Sequence, residues 1–178
     1  MTKPAPPDPV QLFVAVLAAA ETLPSALRGA LERSFGPVEY VSDSFPFDVT
    51  DYYAREMGDG LQRRFLAFER LVSPESIAEV KIETNRIEDE FRTVGTRRVN
   101  LDPGYMDPYK IVLASAKFQG QKIYVAQGIC ADPTLYYDRG WKPYPWGFPD
   151  FRDGRYNAVL TEIRRRFKEK RKRRNRAS

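Results

Sequence analysis

The stretch Leu61–Val72, LQRRFLAFERLV, decides which fold the rest of the chain can make. Phe65 and Ala67 alternate with Leu66 and Phe68, as in a β-strand, yet a helix accommodates the same apolar set and periodicity alone does not choose. Read as a strand, the segment completes a regular order. Upstream, Val10–Leu17 (VQLFVAVL) is an apolar run of strand length, rich in β-branched residues, as expected of a buried central strand. Leu23, Leu27, Ala30 and Leu31 recur at helical spacing until Gly36-Pro37 stops the helix, and Val38–Phe47 resumes a strand pattern. Downstream, Ser73-Pro74-Glu75 opens a helix with a hydroxyl cap, an early proline and an acidic first turn. Arg97–Asp102 is the next predicted strand, ended by a tight turn at Asp102-Pro103-Gly104 in which glycine is free to take positive φ.

The order β-α-β-β-α-β predicts an α+β fold: a ferredoxin-like sandwich with a mainly antiparallel sheet and helices on one face. Beyond it, Tyr109–Lys117 keeps Ile111, Val112 and Ser115 at helical spacing and is read as a helix. Lys122–Ala131 and Thr134–Tyr137 read as a C-terminal strand pair interrupted by Asp132-Pro133. The segment WKPYPWGFPDF (141–151) is expected to be irregular and to pack its aromatics on the body, with base stacking as the rival role. A basic amphipathic helix closes the chain from about Gly154 to Arg173. The predicted domains are a disordered Pro-rich tail (1–9), one α+β domain (10–167) and a basic C-terminal tail (168–178).

At 178 residues, with 42% hydrophobic and 30% charged residues, the chain is long enough for one buried core and too apolar to be disordered. No apolar run approaches the ~20 residues of a membrane span. The N-terminal segment lacks the charged start of a signal peptide, and the single cysteine, Cys130, excludes an intramolecular disulfide. A cytoplasmic protein without a membrane partner is expected. Net charge is +5, but ten Lys/Arg and two Asp/Glu lie in Thr161–Ser178. That leaves 19 of 29 basic and 22 of 24 acidic residues in the body, a net of −3.

There is no histidine, so imidazole bases and His-built zinc sites are excluded, and no G-x-x-x-x-G-K-[ST] loop occurs. Asp102 is read either as a turn residue bonded to its own backbone or as one member of a carboxylate cluster. With Asp48 and Asp51 it would hold Mg²⁺ or Mn²⁺, hard ions that suit oxygen ligands. One of Arg97 and Arg98, with Lys110, is a candidate clamp for a phosphate or carboxylate, and a salt bridge to Glu83 or Glu88 is the plainer alternative. Cys130 is read as an inert packed thiol. The run RRRFKEKRKRRNR suits phosphate contacts without sequence readout.

The segments VQLFVAVL, SFPFDVTDYYAREMG, RRVNLDPGYM, KIVLASAK, IYVAQGI and PWGFPDFR, in this order, resemble a bacterial family known as domain of unknown function 4416. Some members carry a GTP-binding label. Where members read roughly S-T-K-D followed by a histidine, this chain has Ser115-Ala116-Lys117-Phe118 and then Gln121, without the aspartate of a guanine-reading motif. Where members tend to have Ala-Glu, it has Ala131-Asp132-Pro133. The residues that match are Asp48, Asp51, Tyr52, Arg98, Asn100, Asp102, Tyr105 and Lys110. The resulting expectation is a phosphate-bearing ligand, a nucleotide or RNA, held by Arg98, Asn100, Tyr105, Lys110 and Tyr52. Asp102, Asp48 and Asp51 are candidates for catalysis or metal. Two alternatives remain: a carboxylate-dependent hydrolase or transferase, and a non-enzymatic assembly protein carried to RNA or the ribosome by its tail.

Overall fold

The computed structural model describes residues 3–19, 23–50, 53–93 and 96–177. Its strands are β1 (Val10–Ala18), β2 (Val38–Val41), β3 (Phe45–Pro46), β4 (Gln62–Val72), β5 (Val99–Met106), β6 (Lys110–Ser115), β7 (Ile123–Ala126), β8 (Ile129–Tyr137) and β9 (Trp141–Pro143). The α-helices are α1 (Ser25–Phe35), α2 (Ala54–Met57), α3 (Ile77–Glu90), α4 (Pro149–Arg152) and α5 (Asn157–Ala177). The fold is α+β, an open antiparallel sheet of nine strands in the order β2-β4-β1-β5-β6-β8-β7, with β3 on β4 and β9 on β8. LQRRFLAFERLV is thus a strand, and it pairs with β1 along nearly its whole length.

The nearly continuous apolarity of VQLFVAVL, interrupted only by Gln11, reflects burial on both faces. Leu12, Val14 and Val16 pack with Leu27 and Leu31 of α1 and Val80 and Ile87 of α3. Phe13 and Ala15 pack on the other face with Phe151 of α4 and Val159, Leu160 and Ile163 of α5. The expectation of helices on one face is therefore corrected: α1 and α3 share one face, and α4 and α5 cover the opposite one. A strand between two helical layers has no solvent side on which to alternate.

Three local expectations are also corrected. Tyr109–Lys117 is not a helix; Ile111, Val112 and Leu113 belong to β6, all three buried, and a strand buried on both faces shows no period for a spacing test to find. Lys122–Ala131 is not one strand, because Gln127 (φ 53°) and Gly128 (φ 77°) form a two-residue hairpin between β7 and β8. β8 then runs straight through Asp132-Pro133.

Asp102-Pro103-Gly104 is likewise no turn, since β5 continues to Met106. β6 pairs with β5 only at Gly104–Met106, so the earlier part of β5 has β1 on one side and, among the described residues, no strand on the other. Leu101 turns its N–H and C=O to that open side, where they meet α3: the Glu88 carboxylate accepts from Leu101 N (2.6 Å) and Lys81 Nζ donates to Leu101 O (2.8 Å). Main-chain groups alternate along a strand, so Pro103 lacks its N–H on the same open side, where no ladder bond is lost. Gly104 is needed for space, not for positive φ. A Cβ there would stand 2.7 Å from Leu113 Cδ2 and Val112 O and 2.8 Å from Phe13 Cζ.

The basic run RRRFKEKRKRRNR is helical to Ala177 as part of α5, and Lys170 Nζ ties it to Glu39 Oε1 (2.6 Å) and Phe68 O (2.9 Å). Cys130 is a free, buried thiol. No helix among the described residues is long and apolar enough to cross a membrane.

Candidate functional site

β5 and β6 leave their connecting turn paired, then part, and the sheet forks. Asn100 and Asp102 line the fork from β5, Ala114 and Ser115 from β6, and Ala116 and Lys117 from just beyond its end. Lys81 and Asn85 reach it from α3. This polar cavity of about 220 Å³ adjoins a second, of about 280 Å³, which Phe47, Leu113, Phe148 and Phe151 make largely apolar. Tyr53, Asp102, Lys117 and Phe148 border both.

A buried charge network sets the electrostatics. Residues paired across a ladder share a face, so Arg63 (opposite Leu17) and Asp102 (opposite Ala15) project to the α4/α5 side of the sheet. The Arg63 side chain is 4% exposed; NH1 donates to Asp102 Oδ2 at 2.7 Å and NH2 lies 3.4 Å from Asp150 Oδ2. Burial works against the Arg63 charge, but the two carboxylates outweigh it and hold the guanidinium pKa above its ordinary value. Asp102 is also penalised by burial, yet the charges of Arg63 and Lys81 hold its carboxyl below the usual range. For Asp150 burial wins and the carboxyl is pushed up, although Arg63 opposes this and Tyr156 Oη donates to it at 3.1 Å.

The network extends into the polar cavity. Asn100 Nδ2 donates to Asp102 Oδ2 (2.7 Å), and Asn100 Oδ1 accepts from Arg97 NH2 (2.6 Å), which is also paired with Glu88. Across the fork, Lys122 Nζ donates to Ser115 Oγ (2.9 Å), stands 3.6 Å from Asp132 Oδ2 and lies 5.7 Å from the Phe148 ring centroid. Burial pushes the Asp132 carboxyl up against the pull of Lys122.

The fork gathers some of the sequence-predicted residues and not others. Asp102 and Asn100 line it, and the loop FPFDVTDYY does face Asp102, through Phe47, Val49, Thr50 and Tyr53. Asp48 from that loop points away: its side chain is 68% exposed and pairs with Arg155 NH1 at 2.6 Å. Asp51 and Tyr52 lie outside the described residues. Of the arginine pair, Arg97 enters the cavity, whereas Arg98 is exposed and donates to Thr93 Oγ1 (2.8 Å). Lys110 is at the far end of β6, roughly 16 Å from Ser115 at the usual rise per residue, and is paired with Asp107. Tyr105 packs half-buried against a small cluster of Ile77, Ala78, Ala114 and Ile129. Among the described residues no three of His, Cys, Asp and Glu are grouped to hold a metal ion.

A family model described as Domain of unknown function (DUF4416) matches residues 8–167, nearly the whole chain. The chain belongs to that family. No curated protein and no solved structure matches it. Every residue of the fork falls within the DUF4416 match, which ends at the buried Phe167, before most of the basic run.

Arg63, Lys81, Lys122 and Asp150 are the fork residues that motif reading passes over. Two had a signal. Extending the Phe65/Ala67 alternation back by two residues puts Arg63 on a buried face. On α3, Ile77, Lys81, Thr84 and Glu88 follow helical spacing as a polar stripe on an apolar side, and all are buried. Lys122 and Asp150 had none: Lys122 is placed by the loop before β7, and Asp150 by the short helix α4.

Proposed function

We propose that the fork binds a small phosphate-bearing ligand, in the first place a nucleotide. The observation that carries this reading is the convergence of Lys81, Arg97, Lys117 and Lys122 on the polar cavity, beside an apolar cavity walled by Phe47, Tyr53 and Phe148. Cations gather here in a body whose net charge is negative, and guanidinium and ammonium groups in a partly dry cleft suit phosphate oxygens. A ring would fit the aromatic half, where π-faces offer stacking without base selection. Lys81, Lys122 and Arg97 thus take the part that sequence reading gave to Arg98 and Lys110. Asp102, kept ionised, is a hydrogen-bond acceptor for a ligand hydroxyl. Among the described residues no three carboxylates are grouped to hold Mg²⁺ or Mn²⁺, so the reading includes no resident metal. The β2-β4-β1-β5 half, with its interleaved crossovers through α1 and α3, supports reading the scaffold as ferredoxin-like.

The test is thermal denaturation of the full chain with mono-, di- and triphosphate nucleotides and with inorganic phosphate. Ligand at a hundredfold excess over Kd stabilises by about 2.7 kcal/mol, a rise of roughly 5–10 °C for a chain of this length. No shift with any of them removes the reading.

A second reading, a hydrolase or transferase, has its own observation. Asp102 and Asp150 border one cavity on either side of Arg63, with pKa values displaced in opposite directions, as an acid–base pair requires. It predicts turnover of a bound phosphoester that Asp150→Asn abolishes while ligand binding persists.

A further inference from the structure

The two edges of the sheet are finished differently. At the β2 edge, Glu39 puts a charge on the strand, and α5 lies over it: Lys170 Nζ bonds Glu39 Oε1, and Arg166 NH1 donates to Glu39 O at 3.4 Å while its guanidinium lies 5.1 Å from the Tyr40 ring centroid. Charge and cover are the usual means of stopping a strand edge from pairing with another chain. At the other edge, β7 has β8 on one side and, among the described residues, no strand on the other. Its side chains are bare and apolar: Ile123 is 61% exposed, Tyr124 59% and Val125 37%, and in the loop that leads into the strand Phe118 is 77% exposed. From Phe118 to Ile129 the only charged residue is Lys122, and its side chain is turned inward to Ser115 and Asp132.

We infer that the β7 edge is the contact by which two copies of this chain pair, antiparallel across a two-fold axis, into one continuous sheet. Self-pairing follows from the composition of the patch. A two-fold axis sets the patch against a copy of itself, which repels where the patch carries net charge and costs nothing where it is neutral. Two neutral apolar edges are self-complementary, and their open N–H and C=O groups complete each other's ladder. The size is adequate. The exposed parts of Phe118 and Tyr124 alone amount to roughly 250 Å². Ile123, Val125 and the strand backbone bring each copy towards the roughly 500 Å² that an interface of about 1,000 Å² in total needs.

The test is the mass of the full chain in solution across a concentration series, by analytical ultracentrifugation. The expected result is a reversible monomer–dimer equilibrium, with the β7 amides exchanging hydrogen more slowly as concentration rises. Tyr124→Lys with Val125→Lys changes only exposed side chains and should leave the melting temperature of the dilute protein in place while shifting the species to monomer. Ile82→Lys, which charges a partly exposed apolar residue on α3, should leave the dimer intact. A monomer at every concentration, a dimer that survives the double substitution, or open-ended association beyond two copies would each overturn the inference.

Discussion

Arg63 of β4 and Asp102 of β5 join at 2.7 Å across the intervening strand β1, on the face where the small Ala15 leaves room between them. Among the described residues Arg63 is the cation that Asp102 and Asp150 share, and removing it leaves the buried Asp150 and the partly buried Asp102 without their guanidinium. Breaking a buried pair from one side costs about 3–5 kcal/mol. Arg63→Met is expected to lower stability at neutral pH by that much in urea titration. The sign of its pH dependence is fixed by Asp102. A carboxyl whose folded pKa is depressed contributes stability above its unfolded value, about 3.9, and loses it as pH falls through the folded value. The deficit of the variant should therefore shrink on acidification. Equal stability of variant and parent at pH 7 would refute the pairing.

Gly104 tests the account of the Asp-Pro-Gly segment. If it were a turn glycine, Ala would cost little beyond backbone strain. Instead a Cβ meets Leu113, Val112 O and Phe13 within 2.8 Å, and all three belong to strands paired with β5, which cannot move independently of it. Gly104→Ala should destabilise by about 1–3 kcal/mol, the usual cost of overpacking, with the denaturant midpoint falling and the m-value kept. A neutral result would mean that β5 and β6 separate more easily than their packing implies.

What could be read in advance divides along a physical line. VQLFVAVL was legible because burial on both faces leaves a nearly continuous apolar run, and Ser73-Pro74 because capping chemistry is local: Ser73 Oγ does accept from Glu75 N. The strand character of KIVLAS was not legible, since buried residues on both faces leave no period to read. Nor was the passage of β5 through Pro103, which depends on β6 having parted from it. Asp102 was found by its motif. Its partner Arg63 was not, because an arginine in QRRF looks like solvent-facing charge until Leu17 is seen opposite it.

Asp132 offers a titration with the opposite sign. Burial raises its folded pKa, so its contribution is most favourable below the unfolded value, near 3.9, and declines as pH rises through the raised folded value. Asp132→Asn removes that decline and keeps an acceptor for Lys122. Urea titrations from acid to neutral pH should find the variant gaining on the parent as pH rises. A difference independent of pH would mean that the carboxyl is solvated and the Lys122 pair is incidental.

The proposed ligand site makes its sharpest claim in the contrast between two lysines on one side of the sheet's fork. Lys122 is folded in beside Ser115 and Phe148 at the mouth of the polar cavity, whereas Lys110 is spent on Asp107 at the other end of β6. A charge-assisted contact to a phosphate contributes about 1.5–3 kcal/mol, which is roughly a tenfold to hundredfold change in affinity. Lys122→Met should therefore weaken nucleotide binding by that factor in calorimetric titration, and Lys110→Met should leave it unchanged. Because both variants alter one ion pair at the protein surface or cavity mouth, neither should prevent folding, which a melting curve verifies before titration. The reverse ranking would return the site to Arg98 and Lys110, where motif matching alone had put it.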